Sequence, residues 1–477
     1  MSVPLSKLTE HWFQIPCELV TPMHVGAGFS GGQVDSVLRR NASGKLVIPG
    51  TSLAGVLRSL CEEFADPDDV CLSHSEHFRS SMGQIDQSCK CSVCQLFGNV
   101  APVDDQATAS RLTIMDAVVT NAKTRVVDQV AMDRSRRTAA DARKFDLEQL
   151  LIGARFTLNV LGKNLTKNQL EIIGAAIRQI AESEAPIGGK KNRGHGFVEA
   201  AKGDCKSFKR EIHKVDSLLD SIIHDAGGWK ESLKSLDDFP QQPIRFVRGF
   251  SELRLRSDIG TFLINDPVQQ TVTGFDHAAR VLDGKFELPA SSLTGVLRGS
   301  AERIVRTMGG HVCDSTETAC CSNSAEENGK GHCFVCRLFG NQDWASRLSV
   351  RVVSSTASQD NWIGFDHVAI DRFTGGARDG QKFDSMPAIE SVFSVEMRIS
   401  HADDSFCRAS VGLLMLIFNE IECGRLTIGS GCSKGHGRFR AAPPQWELPK
   451  GWQAIKTKKK GHVVACIEEL ENALGVK

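Results

Sequence analysis

The sequence lacks several features that would place it in a simple class. It contains no tyrosine, and its 57 basic residues are balanced by 57 acidic ones, so its formal net charge is zero. No overall positive field therefore draws the protein to nucleic acid, and contact with a polyanion must come from local basic segments. Without tyrosine, any stacking on a base falls to Phe, Trp, His or Arg.

Long apolar segments are missing as well. The longest uninterrupted run of apolar residues and glycine, VGLLMLIF, is far too short to cross a bilayer, and the opening MSVPLSKLTEHW contains no apolar signal core. We therefore expect a cytoplasmic protein without membrane contacts. The 477 residues, 41% of them hydrophobic, suffice for two to four domains that each bury a core.

The chain contains an internal duplication, in which five stretches recur in the same order at a separation of about 240 residues. The first members of the pairs are IPGTSLAGVLRS at Ile48, CSVCQLFGN at Cys91, ASRL at Ala109, VAMDRSRRTAADARKFD at Val130 and IGGKKNRGHGFVEAA at Ile187. Their partners are LPASSLTGVLRG at Leu288, CFVCRLFGN at Cys333, ASRL at Ala345, VAIDRFTGGARDGQKFD at Val368 and IGSGCSKGHGRFRAA at Ile428. Such an ordered set predicts two copies of one domain.

Each copy is predicted to be an α+β unit with the ferredoxin-like order of elements. An alternating strand precedes a Pro and a Ser/Thr that can cap a helix, and the helix carries apolar residues at helical spacing: Leu53, Val56, Leu57 and Leu60. A second helix follows a capping box of Thr166 and Gln169, and a Gly-rich stretch leads into a closing strand. We expect units at 1–205 and 243–445, a helical linker at 206–242, and a basic, helical tail at 446–477.

Two cysteine clusters share their spacing of twenty and then three residues. Cys71, Cys91 and Cys94 correspond to Cys313, Cys333 and Cys336. Cysteines at Cys-x-x-Cys spacing with further ligands from a loop predict a closed, structural zinc site in each copy. Alternatives for the fourth ligand are Cys89 or His77 in the first copy, and Cys320, Cys321 or, less favourably, His332 in the second. The competing interpretation is buried thiols without a metal.

Three further features recur and carry charge. The Gly-rich stretches combine glycines with candidate anion ligands: Lys190, Lys191, Arg193 and His195, then Lys434 and His436. The segments at 130–146 and 368–384 suit protruding hairpins, with candidate phosphate contacts at Arg134, Arg136, Arg137 and Arg372. Asp35 lies fourteen residues before Pro49 and Asp276 thirteen before Pro289, so both copies place a carboxylate in the same loop. Simple turns and solvated charges are the alternative explanation of each feature.

These motifs together resemble the repeat-associated mysterious proteins (RAMPs) of CRISPR systems, and within them the backbone subunits of type III effector complexes. The resemblance rests on PGTSLAGVLR at Pro49 and its second copy at Pro289, CxxCxLFGN at Cys91 and Cys333, AIDRFTGGA at Ala369, and the Gly-rich loops. It covers nearly the whole chain and implies two tandem RAMP domains with a modified RNA-recognition-motif fold, each with a zinc-bound insertion and a thumb hairpin.

The resemblance also implies a function. Members of the family hold guide RNA (crRNA) in a repeating array, and their thumb hairpins flip every sixth base of the guide–target duplex. In active members, a loop aspartate supports cleavage of target RNA with Mg²⁺ or Mn²⁺, which leaves a 2′,3′-cyclic phosphate and a 5′-OH. This role carries over to Asp35 and, with a poorer match, to Asp276, for which Asp266 is a fallback. Four residues of the recurring helix motif join the candidate RNA ligands: Ser52, Arg58, Ser292 and Arg298.

The resemblance therefore implies a prokaryotic, cytoplasmic endoribonuclease that works with crRNA, complementary target RNA and other type III subunits. A second hypothesis is an RNA-binding scaffold of the same complex with inert aspartates. A third is a zinc hydrolase acting on nucleotides, which would need an open zinc site rather than a closed one.

Overall fold

The chain forms two units in a computed structural model, and each is described separately. The structure describes residues 8–28, 32, 34–66, 69, 91–99, 108–133, 138–212, 229–233, 235–241, 246–256, 260–282, 284–313, 332–341, 344–354, 361–400, 404–449 and 460–476. Among these residues, no helix has both the length and the hydropathy needed to cross a membrane.

The first unit contains ten strands and three α-helices within the described residues. They are β1 Leu8–Leu19, β2 Val47–Ile48, α1 Gly50–Phe64, α2 Ser92–Phe97, β3 Leu112–Ile114, β4 Ala117–Val118, β5 Thr124–Asp133, β6 Thr138–Leu150, β7 Arg155–Lys163, α3 Lys167–Ala181, β8 Val198–Ala200, β9 Lys206–Ile212 and β10 Lys230–Leu233. The sheet order β10-β9-β1-β7-β3, with β8 also on β1, contains the antiparallel ferredoxin-like arrangement β8-β1-β7-β3.

The second unit repeats the central sheet and contains twelve strands and five α-helices within its described residues. Its elements are β11 Val247–Leu255, β12 Thr261–Phe262, α4 Pro267–Thr273, β13 His277–Ala278, β14 Val281–Leu282, β15 Lys285–Phe286, α5 Ala290–Thr307, α6 Phe334–Phe339, β16 Leu348–Ser354, β17 Phe365–Ile370, β18 Ala377–Met386, β19 Ala388–Ile389, β20 Val392–Ile399, α7 Asp404–Glu422, β21 Phe439–Ala441, β22 Gln445–Glu447 and α8 Lys460–Leu474. The order β16-β20-β11-β21 matches β3-β7-β1-β8 of the first unit.

The predicted helix stripes form the cores. Leu53, Val56, Leu57 and Leu60 of α1 are all buried, and α3 begins at the capping box of Thr166 and Gln169. The cap of α1 differs from the expectation, because neither Ser nor Thr caps it. Asp116 instead accepts a hydrogen bond from the Gly50 amide at 2.7 Å, so the cap comes from a distant loop.

The structure corrects the prediction of a helical linker at 206–242. Residues 206–212 form strand β9 on β1, and residues 230–233 form β10 on β9, so the first unit extends to Pro243. Residues 213–228 lie outside the described residues. The second unit has a matching extra strand, since β22 pairs with the start of β11. The tail helix α8 belongs to this unit, and its Cys466 and Leu470 are buried in the core that includes α7.

Two recurring motifs prove to be structural. Gly98 and Gly340 have φ of 80° and 79°, and a Cβ there would lie 2.8 Å from the Thr108 oxygen or 2.6 Å from the Ser346 nitrogen. The serine of ASRL, Ser110 or Ser346, donates to carbonyl oxygens on both sides of this turn. The LFGN and ASRL motifs therefore close the turn after each short helix.

Candidate functional site

Asp35 is bonded to the hairpin β5–β6, at the pair of Asp128 and Asp146. Its Oδ2 accepts a hydrogen bond from the Asp146 amide at 2.8 Å, and the next residue, Ser36, bridges in parallel to Leu147. The Ser36 amide also donates to the Asp146 carbonyl at 3.1 Å. The loop that carries Asp35 is thus bonded to the hairpin, while the Asp35 carboxylate is exposed.

Asp276 has the same geometry in the second unit. Its carboxylate accepts from the Asp384 amide at 3.0 Å, and the Asp384 carboxylate accepts from the Asp276 amide at 2.7 Å. His277 then pairs in parallel with Ser385, as Ser36 does with Leu147. Asp276 is exposed, so the structure makes it the positional counterpart of Asp35.

Asp266, the fallback, occupies a different environment. It is 3% exposed and caps helix α4, where its carboxylate accepts a hydrogen bond from the Val268 amide at 3.2 Å. A buried N-cap satisfies the first turn of a helix. The structure therefore gives Asp266 a local structural role.

Further aspartates that sequence reasoning missed lie beside both loop acids. Asp128 and Asp146 are paired residues of the first hairpin, and Lys144 contacts Asp128 at 2.8 Å. Burial and then the nearby Asp128 and Asp35 carboxylates raise the pKa of Asp146, whereas Lys144 opposes this shift. The second hairpin repeats the set with Asp366, Asp384 and Lys382, whose ammonium lies 3.3 Å from Asp366. The Lys-Phe-Asp triplet, which recurs at 144–146 and 382–384, was the sequence signal that could have indicated these aspartates.

The Gly-rich stretch of the first unit lines a cavity of about 290 Å³. Gly188, Gly189 and Lys191 form one side, and the first turns of α1, including Thr51 and Ser52, form the other. The Gly50 amide at the start of α1 is bonded to Asp116 and the Ser52 amide to the Pro49 carbonyl, so the positive charge that favours an anion here comes from Lys191. The cavity therefore brings together two of the predicted RNA ligands, Ser52 and Lys191. Ser292 occupies the position of Ser52 in α5, where its amide donates to Pro289.

The glycines of this stretch also have a structural reason. A Cβ on Gly196 or Gly437 would lie 1.9 or 2.1 Å from the carbonyl oxygen of Ile187 or Ile428, and both glycines have positive φ. Side chains are excluded at these two positions by the backbone itself, whatever ligand the loop takes.

Each Gly-rich stretch places a lysine over the hairpin phenylalanine. The Lys190 ammonium lies 5.3 Å from the Phe145 ring centre, and the Lys434 ammonium 4.2 Å from that of Phe383. The two lysines are not equivalent in the alignment, because Lys434 aligns with Arg193. Both units thus use a cation–π contact to join the Gly-rich stretch to the KFD segment.

Histidines are concentrated around Phe383 in the second unit. His367 stacks on Phe383 at 4.8 Å, and its Nε2 lies 2.7 Å from the Ser385 hydroxyl. His436 is buried, with its Nδ1 hydrogen-bonded to Thr261. Burial lowers the pKa of both imidazoles, and Lys434 lowers each further. The sequence pointed to His195 and His436 but not to His367.

The tip of the second hairpin exposes an aromatic residue. Phe373 is 100% exposed, next to the exposed Arg372. The Asp371 carboxylate accepts from the amides of Phe373 and Thr374 at 2.8 and 2.9 Å, which lowers the pKa of Asp371. This turn therefore holds Phe373 outward. The corresponding candidates Arg134, Arg136 and Arg137 lie outside the described residues.

The second unit brings three predicted cysteine ligands together. The Cys313 sulfur lies 3.3 Å from that of Cys336 and 3.8 Å from that of Cys333, and none of the three forms a disulfide. Sulfurs bound tetrahedrally at a Zn–S distance of about 2.3 Å lie about 3.8 Å apart, so the group fits zinc. His332, a weaker candidate, instead has its Nδ1 3.3 Å from the Asn341 amide group.

The first unit shows part of the same arrangement. The Cys91 sulfur accepts from the Cys94 amide at 3.4 Å, as the Cys333 sulfur accepts from the Cys336 amide at 3.5 Å. The remaining candidates Cys71, Cys89 and His77, and Cys320 and Cys321 of the second unit, lie outside the described residues.

Arg58 and Arg298 are engaged within the protein. Each guanidinium contacts a glutamate one turn along its own helix, Glu62 or Glu302, at 3.1 or 3.2 Å. Each also reaches the second cysteine of the adjacent Cys-x-x-Cys pair. These contacts direct both arginines toward the cysteines, and the RNA contact that the sequence predicted for them stays a prediction.

Comparison with known proteins matches both units to one family model. The RAMP superfamily model covers residues 16–199 and again residues 268–440. The chain belongs to the RAMP superfamily. It carries two RAMP units in one polypeptide, as the duplication predicted. It is also similar to the CRISPR system Cms endoribonuclease Csm3 of Methanocaldococcus jannaschii, with 25% identity over 226 residues that span 42% of this chain and 87% of that RAMP protein.

Proposed function

We propose that this RAMP protein is a backbone subunit of a type III CRISPR complex that binds crRNA and cleaves complementary target RNA. The observation that carries the proposal is the repeated bond between a loop aspartate and a hairpin, Asp35 with Asp146 and Asp276 with Asp384. A hairpin that separates bases and an acid bonded to that hairpin would place a distorted phosphodiester beside a carboxylate. The similarity to the Csm3 endoribonuclease supports this activity.

The RNA backbone would be held by the Gly-rich stretch and the helix that faces it. The cavity of the first unit combines Thr51, Ser52, two glycines and Lys191, which suits one or two phosphate groups. Phe373 at the second hairpin tip has an unpaired aromatic face that can stack on a base. Guide pairing would supply the sequence specificity, while the protein holds backbone and shape.

Cleavage requires little from the protein besides position. RNA carries its own nucleophile, and separating the bases can bring a 2′-OH in line with its phosphorus. The 2′-OH gives up its proton to water as its oxygen bonds to phosphorus and the bond to the 5′-oxygen breaks. The 5′-oxygen takes a proton from water, which leaves a 2′,3′-cyclic phosphate and a 5′-OH. Asp35 and Asp276, with the hairpin aspartates nearby, are the oxygen donors that would hold Mg²⁺ or Mn²⁺. A bound divalent ion supplies charge stabilisation at the phosphate.

The cysteine groups have a separate, structural role in the proposal. A closed thiolate site for Zn²⁺ stabilises a loop that has little core of its own. Chemistry at zinc would require an open coordination position. Removing Mg²⁺ while zinc stays bound should therefore stop cleavage.

The test uses Asp35→Asn and Asp276→Asn, singly and together, in the assembled complex. Asparagine keeps an oxygen that accepts the hairpin amide but removes the charge. We expect the double variant to cleave target RNA at least about 100-fold more slowly, with unchanged crRNA binding. Asp266→Asn is the matched control and should retain cleavage. Undiminished cleavage by the double variant would instead favour an RNA-binding scaffold.

A further inference from the structure

An arginine on the first long helix of each unit reaches the same cysteine of the Cys-x-x-Cys pair. The Arg58 Nη2 lies 3.6 Å from the Cys94 sulfur, and the Arg298 Nη2 lies 3.5 Å from the Cys336 sulfur. The contact therefore recurs in two units that share a fold but differ in much of their sequence.

The rest of each guanidinium is held by the same partners. Arg298 Nε contacts Glu302 at 3.2 Å, and Arg298 Nη1 donates to the Gly340 carbonyl at 2.8 Å. In the first unit, Arg58 makes the corresponding contacts with Glu62 at 3.1 Å and with Gly98 at 3.5 Å. In the second unit the Arg298 and Glu302 side chains are 16% and 5% exposed, whereas those of Arg58 and Glu62 are 31% and 22% exposed.

The acceptor carbonyls are fixed as well. Gly98 and Gly340 follow the short helices α2 and α6, in a backbone conformation with positive φ and no room for a side chain. Three parts of the unit therefore converge on one guanidinium: the long helix, the short cysteine-bearing helix and the turn after it. Arginine suits this place because its planar fork carries five donors, which a lysine ammonium cannot reproduce.

We propose that Arg58 and Arg298 are positioning residues of the two thiolate metal centres, which hold Cys94 and Cys336 by donating a hydrogen bond to the metal-bound sulfur. The inference rests on the metal centres of the proposed function but not on RNA cleavage. A zinc ion with several thiolates has excess negative charge, and a donated charge-assisted hydrogen bond stabilises it. Groups that orient metal ligands in this way commonly change affinity by about 10–100-fold.

The experiment uses the full-length protein loaded with Zn²⁺, or with Co²⁺ as a spectroscopic probe. Arg298→Met removes the guanidinium group and its hydrogen bonds, whereas Arg298→Lys retains the positive charge alone. Arg303→Met is the matched control. Arg303 lies on the same helix and pairs with Glu420. Zinc loss to a chelator is followed in time, and the thiolate-to-cobalt absorption is recorded.

We expect Arg298→Met to accelerate loss of about half of the zinc by about 10–100-fold and to shift the cobalt absorption. Arg298→Lys should recover part of the effect, Arg58→Met should act on the other half, and Arg303→Met should resemble the unchanged protein. Unaltered release and spectrum in Arg298→Met would overturn the proposal, as would an equal effect of Arg303→Met. Failure of the protein to bind either metal would overturn the metal centres and this inference together, while the aspartate variants would still test RNA cleavage.

Discussion

Single residues distinguish the loops that carry Asp35 and Asp276, despite the common geometry of these loops. In the first unit, Ser36 follows the loop aspartate and hydrogen-bonds to the buried His24 at 3.1 Å. In the second unit, His277 follows the loop aspartate. Leu263 corresponds to His24, because the main-chain carbonyl of each residue accepts a hydrogen bond from the Gly-rich stretch of its own unit. A histidine thus contacts the residue after the loop aspartate in the first unit and is that residue in the second.

The histidines of the second unit give a prediction for pH. His367 and His436 have pKa values lowered chiefly by burial, with contributions from Lys434 and opposing ones on His367 from Asp366 and Asp384. Below a pH of about 6.5, the unfolded chain therefore binds more protons at these histidines than the folded state does. The free energy of unfolding keeps their full contribution above that pH and decreases as the pH drops below it. Thermal unfolding between pH 8 and 5 should show this loss.

The matched variant is His367→Gln, which can keep a hydrogen bond to Ser385 but cannot take up a proton. Its unfolding temperature should depend less on pH than that of the unchanged protein. An equally steep dependence would show that His367 does not contribute to the acid sensitivity.

Among the elements, the Gly-rich turn makes a quantitative prediction about stability. Gly435 and Gly437 both have positive φ, but a Cβ on Gly435 would meet nothing within 4 Å, whereas one on Gly437 would lie 2.1 Å from the Ile428 oxygen. We expect Gly435→Ala to cost about 1–2 kcal/mol for its backbone alone. Gly437→Ala should cost at least about 3 kcal/mol, because the backbone must also move.

Denaturant unfolding of the two glycine variants provides the measurement. Equal losses of unfolding free energy would mean that the turn relaxes around the added methyl group. In that case the fold would not require glycine at 437 more than at 435, and the ligand of the loop would explain the two glycines better.

The elements also show what the sequence could reveal. The helices α1 and α3 followed from apolar spacing and a capping box, and the duplication followed from five ordered repeats. Strand β9 did not follow from the sequence. It pairs with β1, for example Ile212 with Leu8, and such distant pairing depends on tertiary contacts that local preference does not encode. The Asp116 cap of α1 is equally distant, 66 residues from Gly50.

The site was predictable to a similar extent. Recurring loop position identified Asp35 and Asp276 together, and the structure favours Asp276 over Asp266 through its bond to Asp384. Arg58 and Arg298 lie in a recurring motif, but recurrence cannot separate a ligand contact from an internal one. Their orientation toward the cysteines required coordinates.

At the scale of the whole molecule, the duplication means that one chain carries the candidate site twice. Each unit has its own sheet, Gly-rich stretch, hairpin and loop aspartate. The two units should therefore act on one target RNA at two positions, each set by its own hairpin. Because the aspartates belong to separate units, the loss of one should leave cleavage at the other.

Mapping the cut positions on a single bound target RNA tests this account most directly. The complex with unchanged protein should cut at two positions whose spacing equals that of the flipped bases. Asp35→Asn should remove one cut and Asp276→Asn the other, with the remaining cut at its original rate. If each single variant lowered both cuts equally, or neither, the account of two independent aspartate sites would be contradicted.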